Sequence, residues 1–404
     1  MAEMIQEPEV REDDEVVNQS GKRPFQDVLS VNLNRRGVLK GGLAGATAFV
    51  APSIPSVSSA GDFIGFRALP KAKATGPWPT ISADYEWNVL APWGDPIEPS
   101  GPAYNYPPSA KNQALQMGGG HDGMWFFGRR TDNGPSNTRG VMCINHEFIT
   151  NSTLLGYGAP GSGNSSGALP RSLEDVRTSQ HAHGVSVIEV AKRGNRWVTL
   201  NSPFARRVHV NPPVEFTGPA ADSELLQTPN GNVPLGTVNN CGNGYTPWGT
   251  YLTCEENFNG YFGATNANST WIPSEEQARY GFSSAGFNYG WYLFDRRFDL
   301  SDEDYRNEEN RFGWIVEIDP FDPDAKPKKR TALGRVKHEG IALTIGKDGR
   351  AVGYMGDDQR FDYIYKFVSS GDHRDMLAQG MRASMRASCT WLISTRTARV
   401  SGWN

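Results

Sequence analysis

The sequence is poor in cysteine, nearly balanced in charge and without a long apolar run. Its 404 residues include 4 cysteines, and 40 basic residues are set against 44 acidic ones, which leaves a net charge of −4. No Cys-x-x-Cys or His-Glu-x-x-His zinc pattern occurs. The balanced charge gives no reason to expect nucleic acid or an anionic membrane surface as a partner. No run reaches the roughly 18 apolar residues of a membrane span, so we expect no stable membrane anchor.

Long amphipathic helical patterns are also absent, while turn-forming and aromatic residues are abundant. The chain has 45 glycines, 27 prolines and 11 tryptophans. Aromatic residues fill pleated surfaces, and Gly and Pro shape the bends between strands. Short strand-like runs occur at residues 140–147, 184–190, 249–254, 290–294, 313–318 and 361–367. This pattern predicts an all-β fold, either a sandwich, a barrel or a propeller, and no strict internal repeat selects among them.

The clearest single unit is a hairpin over residues 341–357. Two apolar runs flank the segment Lys347-Asp348-Gly349-Arg350. Asp-Gly between such runs favours a tight type I′ turn, so we expect two paired strands joined at Asp348 and Gly349.

The first 60 residues have the features of an export signal. Arg35 and Arg36 precede a mildly apolar run at residues 41–57, and small residues end that run at Ala60. This order predicts a signal for the twin-arginine translocase, cleavage near Ala60 and a periplasmic or secreted protein. Because that route carries folded cargo, which often binds its cofactor before export, the signal also hints at a metal or cofactor.

Three later segments place acidic or thiol side chains directly after strand-like runs. They contain Cys143 to Glu147; Cys254, Glu255 and Glu256; and Lys337 to Glu339, with Asp357 and Asp358 one hairpin later. Adjacent carboxylates repel each other unless a cation lies between them or water screens them. Oxygen ligands suit hard cations, whereas a thiolate suits iron or zinc better than calcium. One such pair alone favours an exposed acidic loop, but three segments together make a metal site an equal alternative.

The remaining candidate side chains leave several alternatives open. Cys241 and Cys254 are a candidate disulfide pair in an exported protein. Cys143 is then the odd thiol, either a metal ligand or a small buried core residue. The glycine-rich run at residues 118–123 lacks the Lys-Ser/Thr of a phosphate loop, but it can bring His121 or Asp122 to a site.

At these residues the chain resembles the PhoX-type alkaline phosphatases, from about residue 65 to residue 371. The most specific string is Thr-Pro-Trp-Gly-Thr-Tyr-Leu-Thr-Cys-Glu-Glu-Asn-Phe at residues 246–258. Supporting segments lie at residues 93–96, 145–147, 183–187, 216–219, 239–241, 337–340 and 356–358.

The resemblance implies a β-propeller with a cluster of Fe3+ and Ca2+ on its axis that hydrolyses small phosphate monoesters. By motif position, it implies the following roles: Cys143 as the iron thiolate, Glu255 or Glu256 and Glu339 as bridging carboxylates, Asp357 or Asp358 as a calcium ligand, and Lys337 as the cationic phosphate clamp. Asp122, from the glycine-rich run, is a further candidate metal ligand. Lys337 and Glu339 are the expected catalytic residues. The alternatives are a metal-binding propeller with impaired catalysis, or a phosphodiesterase or lactonase on the same scaffold.

The C-terminal segment, residues 372–404, differs from the rest of the chain. Residues 381–384 read Met-Arg-Ala-Ser and are repeated at once at residues 385–388. The resemblance ends just before this segment, at about residue 371. We therefore expect a PhoX-like domain at residues 61–371, followed by a tail produced by a frameshift, which would leave the propeller incomplete.

Overall fold

The computed structural model describes residue 69, residues 76–161, 165–265 and 271–378, and a strand at 387–392. The predicted signal at residues 1–60 lies outside the described residues, and so does most of the predicted tail. The described residues fall into two units, one that runs up to Asn88 and one that begins at Val89. In the described part of the first unit, the rings of Trp78 and Trp87 stack with centroids 5.8 Å apart.

Three successive sheets form the second unit. The first sheet has the order β1-β2-β3-β4, with β5 also pairing to β3, and all its pairs are antiparallel. Its strands are His121–Thr131 (β1), Gly134–His146 (β2), Gly184–Arg193 (β3), Arg196–Leu200 (β4) and Arg206–Val208 (β5).

The second sheet has the order β6-β10-β9-β8-β7, and its only parallel pair is β6 with β10. Its strands are Glu215–Thr217 (β6), Asn240–Tyr245 (β7), Tyr251–Glu255 (β8), Ile315–Ile318 (β9) and Lys328–Arg330 (β10). The third sheet is an antiparallel meander of His338–Ile345 (β11), Arg350–Asp357 (β12), Ile364–Asp372 (β13) and Ala387–Leu392 (β14).

Helices are short and few among the described residues. They are Ala110–Gln113 (α1), Asn151–Leu155 (α2), Leu173–His181 (α3), Glu275–Tyr280 (α4) and His373–Ala378 (α5), together with several single-turn 3₁₀ segments. In the described part of the chain, none of these helices has the length and apolarity needed to cross a membrane. The prediction of a mostly β fold is confirmed.

The predicted hairpin is confirmed, but its turn is not type I′. β11 and β12 pair from Ile345 with Ala351 to Gly340 with Gly356. A type I′ turn needs a positive φ at both central residues, and of Asp348 and Gly349 only the glycine has one, at +78°. The strands are instead closed by a longer loop, in which the amide of Gly346 donates to the carbonyl of Arg350 at 2.8 Å.

One of the expected strands is wrong. Residues 290–294 form a 3₁₀ turn, Trp291–Leu293, rather than a strand. Gly290 starts it in the left-handed region at φ +65°, and the turn places the Trp291 ring in a buried aromatic core with Tyr261 and Phe298. A short apolar run cannot be assigned by periodicity alone, and here tertiary packing of the tryptophan decides its conformation.

The three sheets meet through one edge strand of each: β1 of the first sheet, β7 of the second and β11 of the third. β7 contacts both β1 and β11. Glycines make this approach possible: a Cβ on Gly242 in β7 would lie 1.6 Å from the Glu339 carbonyl oxygen of β11, and one on Gly123 in β1 would lie 2.9 Å from the amide nitrogen of Asn243.

Candidate metal centre

A β-bulge interrupts each of the three contacting strands at a functional candidate. In β1 an extra residue lies between His121 and Met124, in β7 one lies between Asn240 and Asn243, and in β11 one lies between His338 and Gly340. Each bulge contains one polar side chain of interest, namely Asp122, Cys241 and Glu339. A bulge re-aims a side chain away from the regular alternation of the strand. The three bulges thus direct these side chains toward a common space.

The carboxylates and the thiol at this end of the sheets lie close together. The ligand atoms of Asp122, Glu147 and Cys241 all lie within 4.8 Å of one another. Glu147 directly follows β2, whose last residue pairs with the first residue of β1. We call these three residues together with Glu256, Glu339 and Asp358 the acidic cluster.

Burial and mutual repulsion raise the pKa values of three glutamates of the acidic cluster, Glu147, Glu256 and Glu339. Burial, and then the nearby Asp122 carboxylate, raise the pKa of Glu147 to about 7. Burial, followed by the charges of Glu147 and Asp358, raises the pKa of Glu256 to about 8. Burial and Asp358 also raise the pKa of Glu339. Such shifts mean that the folded protein lacks enough positive charge at this point to keep all these groups ionised.

Lys337, the residue directly before β11, is the cation that faces this cluster. Its side chain is nearly buried, burial lowers its pKa, and the charges of Glu256, Asp357 and Asp358 oppose that shift. Within the described residues its ammonium makes no ion pair or hydrogen bond. The ammonium is therefore available to bind an anionic ligand beside the carboxylates.

Glu255 and Glu256 are adjacent in the chain, but their side chains lie in different environments. Glu255 is fully buried, and one of its oxygens accepts from the Lys329 ammonium at 2.8 Å. Its other oxygen accepts from the amides of Gly313 at 2.9 Å and Trp314 at 3.0 Å. Glu255 is thus used in a satisfied internal ion pair, and the structure does not bring it to the acidic cluster as the ligand assignment requires.

The pair Asp357 and Asp358 separates in the same way. Asp358 faces Glu339, and after burial its charge is the next cause that raises the pKa of the Glu339 carboxyl. Asp357 accepts from the amide of Gln359 at 3.1 Å and lies near Asp362 and Arg279. Of this pair, Asp358 belongs to the acidic cluster, whereas Asp357 lies on the side of Asp362 and Arg279.

The thiol at the cluster is that of Cys241, which corrects the expectation for Cys143. The Cys143 side chain is fully buried in an apolar core with Val141, Val187 and Tyr251. Burial raises the pKa of both Cys143 and Cys241, so position and not pKa separates the two thiols: Cys143 lies in the apolar core, and Cys241 lies beside the carboxylates of Asp122 and Glu147. Cys143, Cys241 and Cys254 are all free thiols in the described residues, so the candidate disulfide between Cys241 and Cys254 is not formed.

Asn145 holds the Cys241 segment in place. Its amide nitrogen donates to the carbonyl of Cys241 at 2.7 Å and to that of Gly242 at 3.0 Å. Its amide oxygen accepts from the hydroxyls of Tyr251 at 2.9 Å and Thr253 at 2.8 Å. Asn145 is thus a fully buried positioning residue that ties β2 to the second sheet. Its place in the Asn-His-Glu string is the only signal in the sequence that pointed to it.

The donor set fits hard multivalent cations together with one softer ion. Carboxylate oxygens from several strands supply hard ligands, and the single thiol of Cys241 supplies a soft one. The raised pKa values of Glu147 and Glu256 show the same deficit of positive charge. Fold and site together define a β-sheet protein with a candidate metal centre at the ends of its contacting strands.

Comparison with known proteins identifies the family. The family described as "Alkaline phosphatase PhoX" matches residues 65–390, so the chain belongs to the PhoX alkaline phosphatase family. The match extends past residue 371, where we expected the resemblance to end. Among curated proteins, no sequence is similar enough to match.

A solved structure supports the same assignment. It is Pseudomonas fluorescens PhoX in complex with vanadate, a transition state analogue, which is 42% identical to this chain with a TM-score of 0.67. The match covers 75% of this chain and 50% of that chain. This chain therefore spans about half the length of the solved relative.

Proposed function

We propose that the chain is an exported, metal-dependent phosphatase that hydrolyses phosphate monoesters at the acidic cluster. The observation that carries the proposal is the convergence of carboxylates and one thiol beside the Lys337 ammonium, which has no ion-pair partner among the described residues. Family membership and the vanadate complex of the solved relative support the same chemistry. The ester bond between phosphorus and the alcohol oxygen breaks as a water oxygen joins the phosphorus, and a proton passes to the departing alcohol.

The charge and position of each residue indicate its role in this reaction. Asp122, Glu147, Glu256, Glu339 and Asp358 would hold Ca2+ and Fe3+, with the Cys241 thiolate on the iron. When bound, these ions would supply positive charge against the phosphoryl oxygens and Lewis acidity at phosphorus. Lys337 holds a phosphoryl oxygen as a point charge, and an arginine here would offer a two-pronged contact instead.

We also propose that the three sheets are blades of a β-propeller. Each sheet runs outward from its contacting strand, and β1, β7 and β11 are those strands. Blades of about four antiparallel strands around a central axis have this arrangement. The acidic cluster then lies on the axis, at the ends of the innermost strands.

The central test combines elemental analysis with hydrolysis of p-nitrophenyl phosphate. We expect calcium and iron in the purified protein, loss of hydrolysis on chelation and recovery when calcium is restored. Lys337→Met should lower kcat/KM by roughly 100-fold, the range for loss of one charge-stabilising group, while the metals stay bound. Lys347→Met, on the exposed hairpin loop, is the matched control. A protein that binds its metals fully and shows no turnover would instead be a metal-binding relative without catalysis.

Export through the twin-arginine translocase is tested separately. Replacing Arg35 and Arg36 together by lysine should keep the precursor in the cytoplasm, whereas wild-type protein appears in the periplasm or medium. Fractionation with immunoblotting measures this. Normal export of the double variant would contradict the signal assignment.

A further inference from the structure

A cavity of about 220 Å³ opens next to the acidic cluster on the side of Glu147. Glu147 belongs both to the cluster and to the cavity wall. Two consecutive residues also connect the cluster and the cavity: Glu256 faces the cluster, and Asn257 lines the cavity. A group bound at the cluster is thus adjacent to this cavity.

Aromatic rings make up much of the cavity wall. They are the rings of Phe148, Tyr261, Phe287 and Tyr289. The rings of Tyr261 and Tyr289 stack on each other with centroids 4.4 Å apart and an interplanar angle of 23°. This tyrosine pair is buried, so the more exposed rings of Phe148 and Phe287 are the ones that a flat ligand ring can contact, by stacked or edge-on packing.

The wall is held rigidly, and it is tied to the cluster. The Tyr261 hydroxyl donates to the carbonyl of Glu147 at 3.3 Å and accepts from the amide of Asn239 at 3.2 Å. The Phe287 ring lies where a Cβ on Gly260 would be, 2.1 Å from its nearest ring carbon. The cavity is therefore formed before any ligand arrives, which lowers the entropic cost of binding.

The charges of the wall decide which ligands fit. No lysine or arginine is among the described lining residues, and the only carboxylate is that of Glu147. A second phosphate or a carboxylate on the ligand would find no counter-charge there. The Asn257 amide makes no side-chain hydrogen bond within the described residues and can serve one neutral polar group.

We propose that this cavity binds the alcohol portion of the phosphate monoester and selects an uncharged alcohol that carries a flat ring. The inference rests on the proposed phosphatase function and adds the substrate class. Phe148 and Phe287 are the specificity-determining residues, because their rings line the cavity beside the cluster without belonging to it.

The test compares 2-phenylethyl phosphate with ethyl phosphate, whose alcohols are similarly poor leaving groups. We expect kcat/KM to favour the phenylethyl ester by about tenfold or more, the size of one good ring contact plus its burial. Phe148→Ala and Phe287→Ala should each reduce that ratio severalfold. Phe294→Ala is the matched control, because Phe294 is 43% exposed, close to the 45% of Phe148, and lies outside the cavity. The ratio of kcat/KM values in Phe294→Ala should stay at the wild-type value.

Binding without turnover separates this inference from the proposed function. Calorimetric titration with 2-phenylethylphosphonate and ethylphosphonate should show the same preference, lost in Phe148→Ala. If neither ester is hydrolysed, the phosphatase proposal fails, and the titration alone decides the cavity. Equal affinity and equal kcat/KM for the two members of each pair, or a ratio that survives both phenylalanine substitutions, would overturn the inference.

Discussion

At the scale of single residues, neighbouring side chains of the same type have opposite uses. Glu255 is the last residue of β8 and points to Lys329 in the interior, while Glu256 follows it and faces the acidic cluster. Successive residues of an extended chain point to opposite sides, so only one of two adjacent carboxylates can face a given site. The same reasoning separates Asp357 from Asp358.

Cys143 in the first sheet and Cys241 in the second provide a direct test at this scale. We expect Cys241→Ser to lose bound iron, because the softer ligand beside Asp122 and Glu147 is removed. Cys143→Ser should keep its iron and lose about 1–3 kcal/mol of unfolding free energy, since it buries a hydroxyl in an apolar core. Iron content by mass spectrometry and chemical denaturation measure both. Loss of iron in Cys143→Ser but not in Cys241→Ser would show that Cys143, and not Cys241, is the iron ligand.

At the scale of elements, the bulges and glycines of the contacting strands determine the site. Asp122, Cys241 and Glu339 each lie within a bulge, and a regular strand would place them by strict alternation instead. Gly242 lets β7 approach the backbone of β11 at Glu339. Two of the candidate ligands therefore depend on one residue that has no side chain.

Gly242→Ala tests this dependence. Its Cβ would meet the Glu339 carbonyl, so the strands must separate, and we expect a loss of about 1–3 kcal/mol in unfolding free energy. Metal content should fall with it, because Cys241 and Glu339 move apart. Gly356→Ala in β12 is the control, since a Cβ there has no atom within 4 Å and the backbone φ is not positive. Equal stability and metal content in both variants would show that the close approach is unimportant.

At the scale of the whole molecule, the acidic cluster makes stability depend on pH and on bound cations. The folded-state pKa of Glu147 is about 7 and that of Glu256 about 8, against an ordinary value of 4.5. Without metal, the folded protein therefore binds more protons than the unfolded chain between the ordinary pKa of 4.5 and the raised values of about 7 and 8. Its free energy of unfolding falls as the pH rises through that window. Burial lowers the pKa of His183 and His338 to about 4, and these groups reduce stability only below their ordinary value of 6.5.

Thermal unfolding of chelated protein between pH 6.5 and 8.5 tests this. We expect the midpoint to fall as pH rises, and Glu256→Gln to flatten the slope because that position no longer titrates. Added calcium should raise the midpoint more at pH 8.5 than at pH 6.5, since it binds the deprotonated carboxylates. A midpoint that rises with pH in chelated protein, or an unchanged slope in Glu256→Gln, would contradict this account of the cluster.

The sequence by itself determined the β character, the hairpin at residues 341–357 and the strings that contain the acidic residues. These are local signals, since turn residues and apolar runs act over a few neighbouring positions. The family resemblance rested on the same contiguous strings. Lys337, Glu339, Asp122 and one member of each acidic pair could therefore be named from the sequence.

Only the tertiary structure decided which thiol and which carboxylate of each pair reach the cluster. Cys143 follows the inward alternation of β2 into an apolar core, whereas a bulge in β7 turns Cys241 toward Glu147. A bulge adds one residue and reverses the side on which the next side chains lie, and it depends on pairing with a distant strand. The cavity beside Glu147 has the same origin, because Phe148, Tyr261 and Phe287 come from separate segments that only the fold brings together.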